Sequence, residues 1–292
     1  FTLLLTGNYK KGWPEYEWRL KTKAHRLRDF HKPVWDGSTL NGKTILVHTE
    51  QGFGDTIHFI RYLPMIQAQG RNVIFECLPN LTRLLKNSAG INNIIERAPK
   101  PTVKYDTHIP LLSLPGIFGT TLDSIPSGIP YITVNSELIE QWRTRFDKDN
   151  GFKVGIVWSG NRHNKKDHIR SCTLTDFAPL MEIPGTSFYS LQKGPASAEA
   201  NNPPKGLEII NLDNEINDFA DTAAAIAYLD LVISVDTAVV HLAGALGKPV
   251  WTLLHFAPDW RWLLNRNDSP WYPGMQLFRH TKGNDWTELF EK

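Results

Sequence analysis

The chain has 292 residues, 41% hydrophobic and 21% charged, a globular composition long enough for two domains that excludes a disordered chain. A formal net charge of +2 removes any bulk electrostatic case for nucleic acid or an anionic membrane. Cys77 and Cys172 make no disulfide framework, and no apolar run is long enough to span a bilayer or to read as a signal peptide. The expected location is therefore the cytoplasm, with peripheral attachment at the inner membrane open.

The opening residues, FTLLLTGNYKKGW, lack an initiator Met and read as the middle of a helix, so the expectation is a piece of a longer protein. Residues 1–30 are predicted to be helical and amphipathic, with a break at Gly7-Asn8. So short a helical pair needs a neighbour to bury its apolar face. Residues 31–42 read as a linker. KTILVH (43–48) reads as a buried strand, TEQGFGD as a tight loop, and TIHFIRYLPMIQAQG as a helix, from its apolar spacing. NVIFEC (72–77) is a second strand, NLTRLLKNSAG a helix ending at Gly90, and INNIIER and YDTHIPLLSLP add strand and loop. The Pro-rich SIPSGIPYITV and the polar DKDNG (147–151) mark a boundary.

Beyond it the alternation restarts. KVGIVWSG, SFYSLQKG, LEIINL, DLVISV and KPVWTLL read as strands, TLTDFAPLME and INDFADTAAAIAYL as helices, and DWTELFEK as a terminal helix. Strands alternating with helices argue for parallel sheets covered on both faces. The expected architecture is α/β: two Rossmann-like domains facing each other across a cleft, after a short helical segment. The expected division is residues 1–40 for that segment and linker, 41–148 for the first domain and 149–292 for the second. The last helix is a candidate to pack back on the first domain.

In an open parallel sheet, ligands bind beyond the carboxyl ends of the strands. Asp236-Thr237-Ala238 stands at such an end, followed by a small-residue helix whose amino end suits a phosphate. Asp236 can cap that helix, Thr237 can donate a hydroxyl, and Ala238, Ala243, Gly244 and Ala245 permit close approach to the sheet; His241 lies one turn in, within reach of the same mouth. A capped helix with a satisfied histidine is the rival reading. Ser159, Gly160 and Asn161 follow another strand, and Gln192, Lys193 and Gly194 a third, where the Lys is placed to meet a phosphate. In the first half, Gly52 and Gly54 permit a tight turn beside Gln51, with Asp55 at the helix start; an N-cap is the alternative role for Asp55. Gly52-x-Gly54 with Glu76 ending the next strand also resembles a dinucleotide fingerprint, but Ile57 replaces the third glycine. The stretch HFAPDWRWLLNRNDSPWYP (255–273) reads mainly as aromatic packing, or as the hinge back to the first half, with Asp259 and Arg261 as polar candidates.

SVDTAVVHLAGALGKPVW resembles the D-T-x-x-x-H-L-A-x-A-L-G-K-P signature of the glycosyltransferases related to the lipopolysaccharide heptosyltransferases. EQGFGDTIHFIRYLP, VGIVWSGN, SLQKG and APDWRWLLNRNDSPWYP resemble, in order, further blocks of the bacterial branch in which the catalytic part follows tetratricopeptide repeats. The resemblance covers roughly residues 43–280, and residues 1–20 resemble the end of a last helical repeat. It implies GT-B architecture and inverting, metal-independent transfer from a nucleoside-diphosphate sugar, a co-substrate rather than a bound cofactor, to a hydroxyl of unknown identity on a glycan, lipid or protein. It implies Asp55 as general base, Lys193 on the donor diphosphate with Ser159 nearby, and Asp236, Thr237, Ala238 and His241 as the phosphate-binding turn. Heptosyltransferases carry Gly where Ala238 stands, a departure expected to tighten the turn. The Glu50–Gly54 loop also differs from theirs, which bears on the acceptor and, less strongly, on the base. Other expectations are an inactive nucleotide-binding module attached to repeats, a nucleotide-sugar epimerase, or a dehydrogenase binding NAD in the first half.

Overall fold

The computed structural model describes residues 1–22, 28–70, 72–86, 88, 91–280 and 286–290. They form two compact units, Phe1–Thr133 with Asp259–Asn265, and Val134–Pro258 with Arg266–Lys292. The first holds a parallel sheet of β1 (Thr44–His48), β2 (Asn72–Cys77), β3 (Ile94–Glu96) and β4 (Thr107–Pro110), in the order β3-β2-β1-β4. The second holds a parallel sheet of β5 (Phe152–Val157), β6 (Thr186–Ser190), β7 (Ile210–Asn211), β8 (Leu231–Val235), β9 (Val250–Leu254) and β10 (Met275–Arg279), in the order β10-β9-β8-β5-β6-β7. Strands such as TILVH and LVISV read as near-continuous apolar runs because helices bury both faces of a parallel sheet. Among the described residues, no helix is long and apolar enough to cross a membrane.

Both sheets begin at a central strand, build outward on one side, and then return to the other. Strand order therefore reverses between β1 and β4 in the first unit and between β5 and β8 in the second. Such a reversal splays the connections apart and opens a crevice at the carboxyl edge.

Several boundaries differ from the sequence expectation. The units divide at Thr133/Val134, not at 148/149, because the helix Ser136–Phe146 belongs to the second unit. Its stripe is thin, with only Trp142 and Phe146 buried, and Phe146 packs on Tyr189 and Tyr228 at 4.8 and 5.1 Å between centroids. The helix expected over TIHFIRYLPMIQAQG is three pieces, Phe53–Phe59, Ile60–Tyr62 and Leu63–Gln67. Pro64 lacks the N–H that a continuous α-helix would need there. The first segment is helical as far as Lys21, and residues 23–27 of the expected helical stretch lie outside the described residues, as does the expected end of the Pro79–Leu85 helix at Gly90. LEIINL contributes only Ile210–Asn211, and MQLFR forms a strand that its pattern did not signal. The terminal helix, described over Thr287–Phe290, stays with the second unit, where Phe290 packs on Phe177 at 4.8 Å. The segment that rejoins the first unit is Asp259–Asn265.

Candidate functional site

The second unit brings three of the expected strand ends to one edge. β8, β5 and β6 are parallel neighbours, so Asp236-Thr237, Ser159 and Lys193 all follow the same ends of adjacent strands. The reversal between β5 and β8 lies among them. Much of the signature that follows β8 is structural. Thr237, not Asp236, is the N-cap of the helix Ala238–Ala245; its Oγ1 accepts the Val239 N–H at 3.2 Å and lies 3.1 Å from Ser234 Oγ. Gly247, at φ +77°, ends the helix with Gly247 N–H donating to Gly244 O at 3.1 Å and Lys248 N–H to Ala243 O at 3.0 Å. Lys248 Nζ then donates to Ala227 O and Leu229 O at 2.7 and 2.9 Å. His241 is 6% exposed, and its Nδ1 lies 3.0 Å from the Tyr272 hydroxyl. A Cβ on Gly244 would stand 2.5 Å from the Tyr272 ring, so Gly244 serves that aromatic neighbour rather than the sheet. Of the four residues expected at the turn, Asp236 precedes the cap and Ala238 opens the helix.

Gln192 is the positioning residue that the sequence did not single out. It is 2% exposed. Its Oε1 accepts from Trp158 N–H and Ser159 N–H at 3.1 and 2.9 Å, and its Nε2 donates to Ser159 O and Lys193 O at 3.0 and 2.9 Å. One amide thus ties the end of β5 to the end of β6. Lys193 does not stand alone: its ammonium donates to Asp213 O at 2.5 Å and pairs with Asp213 Oδ1 at 2.7 Å, while Ser197 Oγ donates to Asp213 Oδ2 at 2.8 Å. Burial works against the Asp213 carboxylate, but the Lys193 and Ser197 hydrogen bonds outweigh it and hold the group below its usual range.

The loop after Ser159 is basic. Asn161, whose Oδ1 accepts the His163 N–H at 3.0 Å, precedes the exposed Arg162, His163, Lys165 and Lys166. Gly160 is needed there, since a Cβ would fall 2.5 Å from Arg170 and from Asp167. His255, just beyond β9, has its pKa lowered by burial and then by the positive charges of Lys166 and Arg170. Exposed cations therefore gather on this loop, beside the Lys193–Asp213 and Arg170–Asp167 pairs.

In the first unit the loop after β1 leads into the helix Phe53–Phe59. Asp55 is its third residue, and Asp55 Oδ2 accepts the Gly52 N–H at 3.0 Å. Asp55 Oδ1 accepts from Arg261 Nη2 at 2.5 Å. Arg261 also donates to Asp259 Oδ1 at 2.8 Å and lies over the rings of Trp260 and Phe59 at 4.7 and 5.2 Å. Burial opposes the guanidinium charge, but Asp259 and Asp55 prevail and its pKa is raised. Asp55, Asp259 and Arg261, remote in sequence, are thus brought together. The expected tight turn is absent: Gly52 has φ −77° and Gly54 lies inside the helix, so neither supplies a left-handed backbone. Gln51 is half-buried at the bend before them.

The dinucleotide reading fails on Glu76. That carboxylate is fully buried and bound by both terminal nitrogens of Arg28, the Nη2–Oε2 contact being 2.9 Å, so no ribose reaches it. Among the described residues, no group of three or more His, Cys, Asp or Glu is placed to hold a metal ion.

Residues 193–262 match the model of glycosyltransferase family 9 (heptosyltransferase). The chain is 27% identical over 305 residues to the protein FlbA of Caulobacter vibrioides, covering 94% of this chain and 50% of FlbA, so it spans about half the length of that relative. Among solved structures, a family 9 glycosyl transferase of Veillonella parvula has a TM-score of 0.63 at 13% identity, over 84% of this chain and 88% of that one. The E. coli ADP-heptose lipopolysaccharide heptosyltransferase II has 0.61 at 13%, over 82% and 92%. E. coli heptosyltransferase WaaC, solved with ADP-2-deoxy-2-fluoro heptose, has 0.54 at 15%, over 84% and 96%. The chain thus has the parallel-sheet α/β fold of the heptosyltransferases, and its residues 193–262 are similar to glycosyltransferase family 9.

Proposed function

We propose that this chain is an inverting, metal-independent glycosyltransferase that moves a sugar from a nucleoside diphosphate to a hydroxyl acceptor. The observation that carries the reading is the extent of the family match: it runs from Lys193 through the Asp236–His241 block to Trp262. It therefore covers the carboxyl-edge residues around the β8 end and reaches the arginine that holds Asp55.

In this reading the donor diphosphate lies at the carboxyl edge of the second unit. The amino end of the Ala238–Ala245 helix, the Thr237 hydroxyl, Lys193, Ser159 and the basic loop after Asn161 stabilise the negative charge that builds up as the sugar leaves. Cationic side chains take the place of a metal. Lys193 would have to share its ammonium between Asp213 and the phosphate, and it has three donors to do so. His241 supports the turn through Tyr272 rather than touching the donor. Asp55 is the general base at the first unit's carboxyl edge: each of its oxygens has one partner, which leaves further lone pairs to take the acceptor proton. Attack from the face opposite the departing diphosphate inverts the anomeric carbon. Tetratricopeptide-type repeats ahead of this stretch, and a cytoplasmic location, belong to the same proposal.

A thermal-shift screen of the chain against ADP, GDP, UDP and CDP, followed by turnover of the matching sugar nucleotides with and without added acceptors, tests it. A nucleoside diphosphate at a hundredfold its Kd stabilises by about 2.7 kcal/mol. Sugar transferred or hydrolysed supports the reading. An altered sugar nucleotide formed without acceptor would make it an epimerase, and binding with no turnover on any donor a binding module.

A further inference from the structure

The loop that carries Asp55 is gripped at both ends by buried arginines from distant parts of the chain. At the front, Arg19 Nη2 donates to Glu50 Oε1 at 2.7 Å and to Ser113 Oγ at 2.8 Å. The side chains of Arg19 and Glu50 are 5% and 2% exposed. Glu17 completes the group: Arg19 Nη1 donates to its Oε1 at 2.5 Å, and Ser113 Oγ donates to its Oε2 at 2.9 Å. This cluster sits where the first sheet reverses, since Glu50 follows β1 and Ser113 follows β4. At the back, Arg261 holds Asp55 as described, and its neighbour Trp260 stands within a ring of aromatics from the first segment. Trp13, Tyr16 and Tyr9 lie 5.5, 5.7 and 6.2 Å from it between centroids.

A buried arginine that loses one partner is left with an uncompensated charge, so each guanidinium ties its partners to one arrangement. Neither glycine of the loop constrains it by a left-handed backbone; the Gly52 N–H bond to Asp55 is local, and the two arginines are the side-chain anchors that reach it from distant parts of the chain. We propose that Arg19 and Arg261 are positioning residues that clamp the Glu50–Asp55 loop, and that the helical segment Thr2–Lys21 is thereby a working part of the transferase site. The proposal rests on Asp55 as the base but is read out separately from it.

The test is backbone hydrogen–deuterium exchange over residues 49–56 in the whole chain, with turnover of whichever sugar nucleotide the donor screen selects. The variants are Arg19→Lys, Arg261→Lys, Arg261→Ala and Asp259→Asn, with the exposed surface change Arg143→Ala as control. Lysine keeps the charge but has no planar fork to span two acceptors or lie between two rings. Exchange over this loop should rise by about tenfold or more in the Arg19 and Arg261 variants, with the control unchanged. Turnover should fall by at least about tenfold with little change in KM. Guanidinium at millimolar concentration should restore part of the activity of Arg261→Ala, which a generally loosened fold would not allow. Exchange within twofold of the parent in Arg19→Lys and Arg261→Lys overturns the clamp, and so does unchanged turnover in both when Asp55→Asn loses it. Failure of the base assignment is distinct: Asp55→Asn would retain turnover while the arginine variants still loosen the loop.

Discussion

Replacing Gln192 by alanine gives the sharpest test of how the second unit's edge is held. The amide makes four hydrogen bonds to backbone, two accepted at 3.1 and 2.9 Å and two donated at 3.0 and 2.9 Å, from a side chain that is 2% exposed. A buried backbone group left without its partner costs about 1–3 kcal/mol. Water entering the truncated space would satisfy some of the four, so the net loss should be about 3–5 kcal/mol. Against a typical total of about 5–15 kcal/mol this is a large fraction. For a unit of this size it would lower Tm by roughly 6–20 °C. Gln192→Glu keeps the acceptor but turns a carboxylate toward the Ser159 and Lys193 carbonyls, so at neutral pH it should destabilise at least as much. Urea unfolding gives the stability, and calorimetry with the nucleoside diphosphate from the screen gives the site. Because Ser159 and Lys193 are both oriented by this amide, affinity should fall about tenfold or more, near 1.4 kcal/mol. Stability within about 0.5 kcal/mol of the parent in both variants, with affinity unchanged, would refute the staple.

Asp55→Asn should leave nucleoside diphosphate binding intact and lower turnover by about 10²–10⁴-fold, as loss of a general base does; stopped assays at saturating donor check it. Lys193→Ala should instead weaken nucleoside diphosphate binding in calorimetry, with the loss shrinking at high salt as charge is screened. Gly244→Ala would push a methyl against the Tyr272 ring, 2.5 Å away, and should cost about 1–3 kcal/mol in thermal unfolding while loosening the His241–Tyr272 contact. His48 and His108 lie 3.2 Å apart in the first unit, and burial lowers both pKa values, that of His48 helped by the charge of His108. Their folded pKa values lie below the unfolded value of about 6.5, so the unfolded chain takes up protons first as pH falls. Stability is fully present above that pH and drops below it, by at most about 1.4 kcal/mol per pH unit for each histidine. Urea midpoints between pH 7.5 and 5 should show the slope, and His48→Gln should reduce it.

The sequence by itself determined the chemistry of the elements. Buried runs such as TILVH and LVISV, alternating with helices, dictate parallel sheets, because a strand apolar on both faces must be covered on both. The polar residues directly after those runs, Ser159, Lys193 and Asp236-Thr237, were legible as candidates for the same reason: strand ends in such sheets face the ligand. What the sequence left undecided was who partners whom. It marked Asp236 as the cap where Thr237 caps, aimed His241 at the mouth where Tyr272 takes it, and left Lys193 without Asp213. Gln192 looks like any polar residue until two strands run side by side and present four backbone groups to one amide. Arg261 and Asp55 are 206 positions apart, and no period or local spacing links them. Only the tertiary structure returns Asp259–Asn265 to the first unit, where burial makes each charge depend on a partner that the linear chain does not reveal.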